Sequence, residues 1–495
     1  MLGSFSSTHD DHDDPDRTTS SSSDLLYLHY HQSSPSLPQP VVDNCSPSAF
    51  VSPPPPPPTT TTAMTGTATA TTTTAAAIQP TSMQMRQLLV TTAELLERSN
   101  FSAAHRLLTL LTSSSSPFGD STDRLLHQFS HALSLRLHRL SSAVTTMSYL
   151  PHYSNNNNII SAGVFSFGPG VPSCSLPGTR VSPRTDTDSL QSCYLSLNQV
   201  TPFIRFSHLT ANQAILDAIE GENSVHILDL DIMHGVQWPP LMQVIAERKL
   251  ADGGSDDNSS ARVLPRTIQI TGCGRDLGVL RRTGDRLSRF AQSLGLTFEF
   301  HPLLVTCETD PILLREISSV PSQALAVNCP MCLHRQLRDD SRDLCVFLRR
   351  IKSLRPKVVT VAEREGNNNS PSFLRRFAEA IEHYTAIFES LEATLPPSSR
   401  ERLEVEEVWF GREIRDIVAE EGALRKERHE RFECWESFLR SSGFSNVPLS
   451  PFALSQAKLL LRLHYPSEGY QLQFRKNAAF LGWQARPLFS VSSWR

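Results

Sequence analysis

Residues 225–240 read VHILDLDIMHGVQWPP, and the rest of the chain is organised around this stretch. Val225–Leu230 is a short apolar run interrupted by His226 and Asp229, and a helical pattern follows it. A run of that length, ending at polar residues, reads as a strand buried on both faces, as in a parallel sheet. Asp229 and Asp231 then stand at the carboxyl end of the strand, the edge where open α/β sheets collect ligands. Pro239 and Pro240 suit the first turn of the next helix, where a missing N–H costs nothing. His226, inside the strand, reads as a satisfied core histidine. Asp229 reads as an acceptor for backbone N–H groups of the following loop, because a buried carboxylate needs partners.

Downstream, strand and helix patterns alternate. Strands are expected at Arg266–Thr271, Leu296–Leu304, Ala324–Asn328 and Lys357–Ala362, with helices at Leu277–Leu294, Leu344–Leu354 and Phe373–Leu391. Such alternation implies parallel pairing through right-handed crossovers. Gly411–Arg440 is expected to be helical, its mixed charges forming a solvated, ion-paired face. A helix follows at Leu454–Tyr465, and Tyr470–Phe474, Ala479–Trp483 and Leu488–Trp494 read as short strands closing the sheet with an antiparallel edge. The expected fold is therefore α/β: a doubly wound, mostly parallel sheet of the Rossmann or methyltransferase type, with antiparallel C-terminal strands and an N-terminal helical cap.

Upstream, residues 1–82 are dominated by Ser, Thr, Pro, Asp and His, with a Pro53–Pro58 run and one apolar island at Leu25–Leu28. This composition is expected to stay disordered, because it buries too little apolar surface to offset chain entropy. Residues 83–495 are expected to form the folded domain. Within it, 83–140 is a helical cap segment, 141–188 a flexible insertion, and 189–495 the remaining cap helices and the α/β core. Leu88, Leu89, Leu95 and Leu96 recur at helical spacing, and Leu107, Leu110 and Leu111 fall in an L-x-x-L-L-like run, LLTLL. These leucines are candidates for docking a partner in a helix-in-groove mode, and equally for a bundle core.

Composition narrows the function classes. A net charge of −4 with 19% charged residues gives no global basicity, so DNA contact requires a local patch or a partner. The best basic cluster, Arg349, Arg350, Lys352, Arg355 and Lys357, is sparse. No apolar run is long enough to cross a membrane, and the amino terminus has no secretory pattern. Nine scattered cysteines suit reduced thiols of a nuclear or cytosolic chain. Cys329 and Cys332 have C-x-x-C spacing with no second pair, so no metal site is expected there, and buried thiols beside His334 are the expected reading. A methyltransferase needs a glycine-rich turn after its first strand. Here Ile232 and Met233 stand in that turn with Gly235 alone, so no catalytic, cofactor-binding or metal-binding residue is expected. A methyltransferase-like enzyme or small-molecule binder on the same fold is the alternative.

The stretch also resembles the signature of the plant GRAS family of transcriptional regulators, through Val225, His226, Ile227, Leu228, Asp229, Gly235, Gln237, Trp238 and Pro239. Pro371, Phe373, Tyr384, Arg412 and Glu413 fall where the family's P-F-Y-R-E motif does. Trp435 matches its charged segment, and Trp483 and Trp494 its closing motif, with Ser493 in place of the usual alanine. The wording of HLTANQAIL, HGVQWPP and LLLRLHYPSEGY resembles the Lateral suppressor branch. The resemblance implies a nuclear regulator of shoot axillary meristem initiation and branching. It implies action through other transcription factors or co-regulators, as a homo- or hetero-dimer, with DNA contacted directly or indirectly and no membrane.

Overall fold

A computed structural model describes residues 82–148, 186–252, 265, 267–305, 323–465 and 468–495. The expected disordered arm, the Leu25–Leu28 island and most of the expected insertion lie outside these residues.

Strand β1 (Ser224–Asp229) has Val225, Ile227 and Leu228 fully buried, as a central parallel strand requires. It pairs in parallel with β2 (Thr267–Gly274) on one side and with β4 (Ala324–Pro330) on the other. The register sets Asp229 between Gly272 and Asn328. β3 (Thr297–Leu304) extends the sheet beyond β2, and β5 (Val358–Arg364) extends it beyond β4, both in parallel. The carboxyl-terminal strands β7 (Tyr470–Arg475), β8 (Ala478–Trp483) and β9 (Arg486–Trp494) are antiparallel, and β9 inserts directly beside β5. The full order is β3-β2-β1-β4-β5-β9-β8-β7, with the two-residue β6 (Asn446–Val447) on β9. Strand order reverses at β1, so the crevice of this doubly wound sheet opens at the carboxyl ends of β1 and β4.

Helices cover both faces. Helices α5 (Pro202–Ala218), α6 (Trp238–Asp252) and α7 (Leu277–Ser293) bury Ile215, Trp238, Leu241 and Leu287 against β1 and β2. Helices α8 (Arg342–Ser353) and α12 (Phe432–Ser441) pack Leu348 and Trp435 into a second cluster with Trp494. Both expected aromatic anchors of the closing strands are buried, Trp483 against Tyr470 and Trp494 beside Phe432.

The cap consists of α1 (Ser82–Glu97), α2 (Phe101–Ser114), α3 (Ser121–Ser148) and α4 (Asp186–Val200), joined by α9 (Phe373–Thr394) and α11 (Gly411–Ala419). The short α10 (Arg400–Glu404) and a π-helical turn at Val405–Phe410 lead into α11. Here the docking expectation is corrected for three of its leucines. Leu89, Leu96 and Leu111 are fully buried in the cap, because three packed helices need those positions to close their core. Leu88, Leu95 and Leu107 are half-buried, and only Leu110, at 58% exposure, is free of the core.

A second correction concerns 411–440. Helix α11 ends at Ala419, Gly422 takes a positive φ of 53°, and the chain runs without regular structure through residues 425–431 before α12. Arg425, Glu427, Arg428 and His429 are buried rather than solvated. The Asp416 carboxylate accepts the backbone N–H groups of Lys426 and Glu427 at 2.8 and 2.7 Å, drawing the segment inward. Helix α13 (Pro451–His464) is the last among the described residues, with its N-cap Ser450 accepting from the Ala453 N–H.

Candidate functional site

A cavity of about 250 Å³ lies at the switch-point crevice, between the sheet's carboxyl edge and the cap. Leu230, Asp231 and Met233 line it from the loop after β1, and Met331 to Gln336 from the turn after β4. Tyr194 of α4, Trp409 and Arg412 face it from the cap side. Met233 and Met331 hold positive φ values of 47° and 49°, and both sit on the turns that shape this cavity. A non-glycine residue in that region is costly and persists only where its surroundings over-determine it. Gly235, φ 64°, is required for a second reason, since a Cβ there would meet Thr283 Cγ2 at 2.9 Å. Ile232 fills the turn itself: it is buried, and its Cδ1 occupies the space a Cβ on Gly272 would need.

The signature residues assemble one buried polar network. Asp229 Oδ2 accepts the indole N–H of Trp238 at 2.9 Å, and its Oδ1 accepts the Asp231 N–H at 3.3 Å. The Asn328 amide donates to Gln237 Oε1 at 3.0 Å and accepts the Thr360 hydroxyl at 2.8 Å. Gln237 donates to Asn212 Oδ1 at 3.1 Å, and Asn212 returns a bond to the Gln237 carbonyl at 2.8 Å. Burial, with Asp231 nearby, pushes the Asp229 carboxyl up to about 7. The network joins α5, β1, β4, β5 and the start of α6, so these residues fix the switch point. His226 is the satisfied core histidine expected, 2.8 Å from the Thr271 hydroxyl and lowered to about 4 by burial.

Three of the P-F-Y-R-E residues, Tyr384, Arg412 and Glu413, belong to a second, charged network beneath the cap, while Pro371 and Phe373 contact Arg376 and Arg136 beside it. The Tyr384 hydroxyl donates to Glu413 Oε2 at 2.9 Å, and Arg364 pairs with Glu413 Oε1 at 2.5 Å. Arg412 reaches Glu427 Oε1 at 3.3 Å, Pro371 offers its carbonyl to Arg376, and the Phe373 ring lies 3.6 Å from the Arg136 guanidinium carbon. Trp435 donates its indole N–H to the Glu430 carbonyl at 3.0 Å, tying α12 to the buried charged segment. Next to these, His334 lies between two carboxylates, with Nδ1 at 2.9 Å from Glu363 and Nε2 at 3.0 Å from Glu427. Burial alone would lower the His334 imidazole, but the two carboxylates raise it to about 9. Cys329 and Cys332 are both buried, and the hydrogen bond between them, with burial, raises the Cys332 thiol well above its ordinary value. A thiol held protonated in this way, as at Cys332, suits packing.

Sequence reading thus located the signature residues and the P-F-Y-R-E letters, and the structure shows which of them touch. It did not find Asn212, Asn328, Glu363 or Glu427, because they join only through the tertiary fold, 91 positions separating Gln237 from Asn328.

The GRAS domain family model matches residues 85–495. Scarecrow-like protein 18 of Arabidopsis thaliana is 52% identical over 419 residues, covering 83% of this chain and 91% of that protein. Protein MONOCULM 1 of Oryza sativa subsp. japonica is 41% identical over 435 residues, covering 83% of this chain and 88% of that protein. The crystal structure of SCL7 from Oryza sativa superposes with a TM-score of 0.64 at 31% identity, over 83% of this chain and 99% of that one.

Proposed function

This chain belongs to the GRAS domain family and has a regulatory role in transcription during plant development, and we propose that it acts in the nucleus through protein partners assembled at promoters rather than by catalysing a reaction. The finer reading is the initiation of side-shoot meristems. It is supported by the wording shared with the Lateral suppressor branch and by the likeness to Protein MONOCULM 1.

One observation carries the non-catalytic reading: carboxylates that line the cavity are engaged by donors of the protein itself. Asp231 is bonded to Arg335, Glu413 to Arg364 and Tyr384, and Glu427 to His334. A general base has to reach a proton on its substrate, and these three already sit in internal hydrogen bonds. Ile232, packed where a nucleotide cofactor would need open backbone, points the same way.

The partner surface we favour includes the outer face of α2, where Leu110 is exposed and Leu107 half-exposed. The test is affinity capture from shoot tissue together with promoter occupancy, comparing the parent with Leu107→Asp and Leu110→Asp. Loss of partners and occupancy with unchanged circular dichroism supports the reading. Micromolar binding of S-adenosylmethionine by the purified protein would promote the enzyme alternative. Tight binding of a specific DNA site by the protein alone, falling steeply with salt, would establish direct DNA recognition instead.

A further inference from the structure

His334, Glu427 and His429 converge where the turn after β4 meets the buried segment before α12. His334 Nε2 lies 3.0 Å and His429 Nε2 3.3 Å from the same oxygen, Glu427 Oε2. The three ligand atoms lie within 4.8 Å of one another, and all three residues are buried. Zinc bonds to imidazole nitrogen and carboxylate oxygen of about 2.0–2.2 Å set tetrahedral ligands roughly 3.3–3.5 Å apart, so the two imidazole–carboxylate separations are close to those of ligands sharing one ion.

Three further observations favour a cation over protons alone. First, Glu363 accepts from His334 Nδ1 and is itself held by the backbone N–H groups of Leu333 and His334 at 2.7 and 3.3 Å. That is the outer carboxylate that orients a metal-binding imidazole and turns its Nε2 lone pair toward the ion. Second, His429 is fully buried, and its Nε2 makes no well-aligned hydrogen bond although it lies 3.3 Å from Glu427 Oε2. On its other side the Asn368 side-chain amide lies 3.2 Å from Nδ1, while its Oδ1 is without a partner. Turning that amide over, which leaves its shape unchanged, gives the Asn368 oxygen the Nδ1 proton and frees Nε2 as a ligand. Third, the carboxylates Glu363 and Glu427 on either side of His334 are both buried, and the guanidinium that reaches Glu427 is that of Arg412, 3.3 Å away and largely exposed, so a divalent cation would add charge compensation inside the protein.

We propose that His334, Glu427 and His429 bind one divalent cation of the zinc type, with a fourth coordination position facing the cleft that His334 and Glu427 line. The ion fastens the segment 425–431 to the end of β4, locking the seat of the cap on the sheet. Imidazole and carboxylate donors fit zinc, and cobalt is its spectroscopic substitute.

The test uses untagged, full-length protein stripped with chelator. The run His9-Asp10-Asp11-His12-Asp13-Asp14 offers further imidazole and carboxylate donors, so His9→Ala and His12→Ala are combined as the background for every sample. Zinc retained after dialysis is counted by plasma mass spectrometry, and Zn²⁺ affinity is measured by calorimetry. One equivalent per chain is expected, lost in His429→Gln, with at least a tenfold rise in Kd. Glu363→Gln, which touches only the outer carboxylate, is expected to weaken binding about 10- to 100-fold. Equal stoichiometry and affinity in background and His429→Gln protein overturns the site, as does the absence of retained zinc. If the variants fail to fold, zinc-edge X-ray absorption on the background protein decides. Two imidazoles with oxygen support the site, and a shell without paired imidazoles overturns it.

Discussion

Two buried polar networks meet at the carboxyl edge of this sheet, and they are built on opposite principles. The network around Asp229 is made of amides, an indole and a hydroxyl, with one carboxyl that burial holds up to about 7. The network beneath the cap is made of Glu363, Glu413, Glu427, Arg364 and His334, and its members depend on one another's charge. In the first, losing a partner leaves an unsatisfied dipole. In the second it leaves an uncompensated charge in a dry interior, which costs more. The switch point of the sheet is therefore cheap to hold together, whereas the seat of the cap is stable only when complete.

The largest expected effect is that of breaking the charged network. Glu413→Ala strands the Arg364 guanidinium and should cost about 3–5 kcal/mol, read from urea denaturation. Trp238→Phe removes a single donor from Asp229 and should cost about 1–3 kcal/mol by the same measurement. If Trp238→Phe proves the more damaging, the contrast between the networks fails.

A smaller effect tests the neutrality of the Asp229 network. The Asp229 carboxyl is raised from an ordinary value of 3.8 to about 7, so between those limits the folded state holds a proton that the unfolded state has released. The stabilisation linked to that proton is fully present below pH 3.8 and lost as pH rises toward 7. Asp229→Asn cannot titrate, so it should gain stability relative to the parent as pH rises from 4 to 7. Thermal melts at several pH values check this, and parallel pH dependences would show that Asp229 is ionised in the fold. The smallest stability effect belongs to Leu110→Asp on the cap surface, expected to lie within about 0.5 kcal/mol of the parent while partner capture is lost.

The legible parts of this fold were those where local pattern and tertiary role coincide. Val225–Leu230 reads as a buried strand because both of its faces are covered, and Pro239 and Pro240 mark a helix start because they sit in the first turn of α6. Leucines at helical spacing announced α1 and α2, but not which of them would remain outside. Leu108 and Leu111 went to the core, and Leu110, one residue from Leu111, stayed exposed. That choice depends on how the cap helices rotate against each other. The segment 425–431 misled for a related reason: alternating charges fit a solvated helix equally well, until Asp416, Asn368 and His334 supply partners from elsewhere.

The amino-acid sequence by itself determined the α/β class, the strand that anchors it, the helical character of the cap and, through motifs spread from Val225 to Trp494, the GRAS family. Those properties rest on periodicity, turn chemistry and residue wording, all of which are written along the chain. Only the tertiary structure decided that Tyr384 bonds to Glu413, that His334 stands between Glu363 and Glu427, and that a run of charges is buried. Charge compensation acts through space over a few ångströms, and residues 93 positions apart in the chain, such as His334 and Glu427, come within that range only once the sheet and cap have packed.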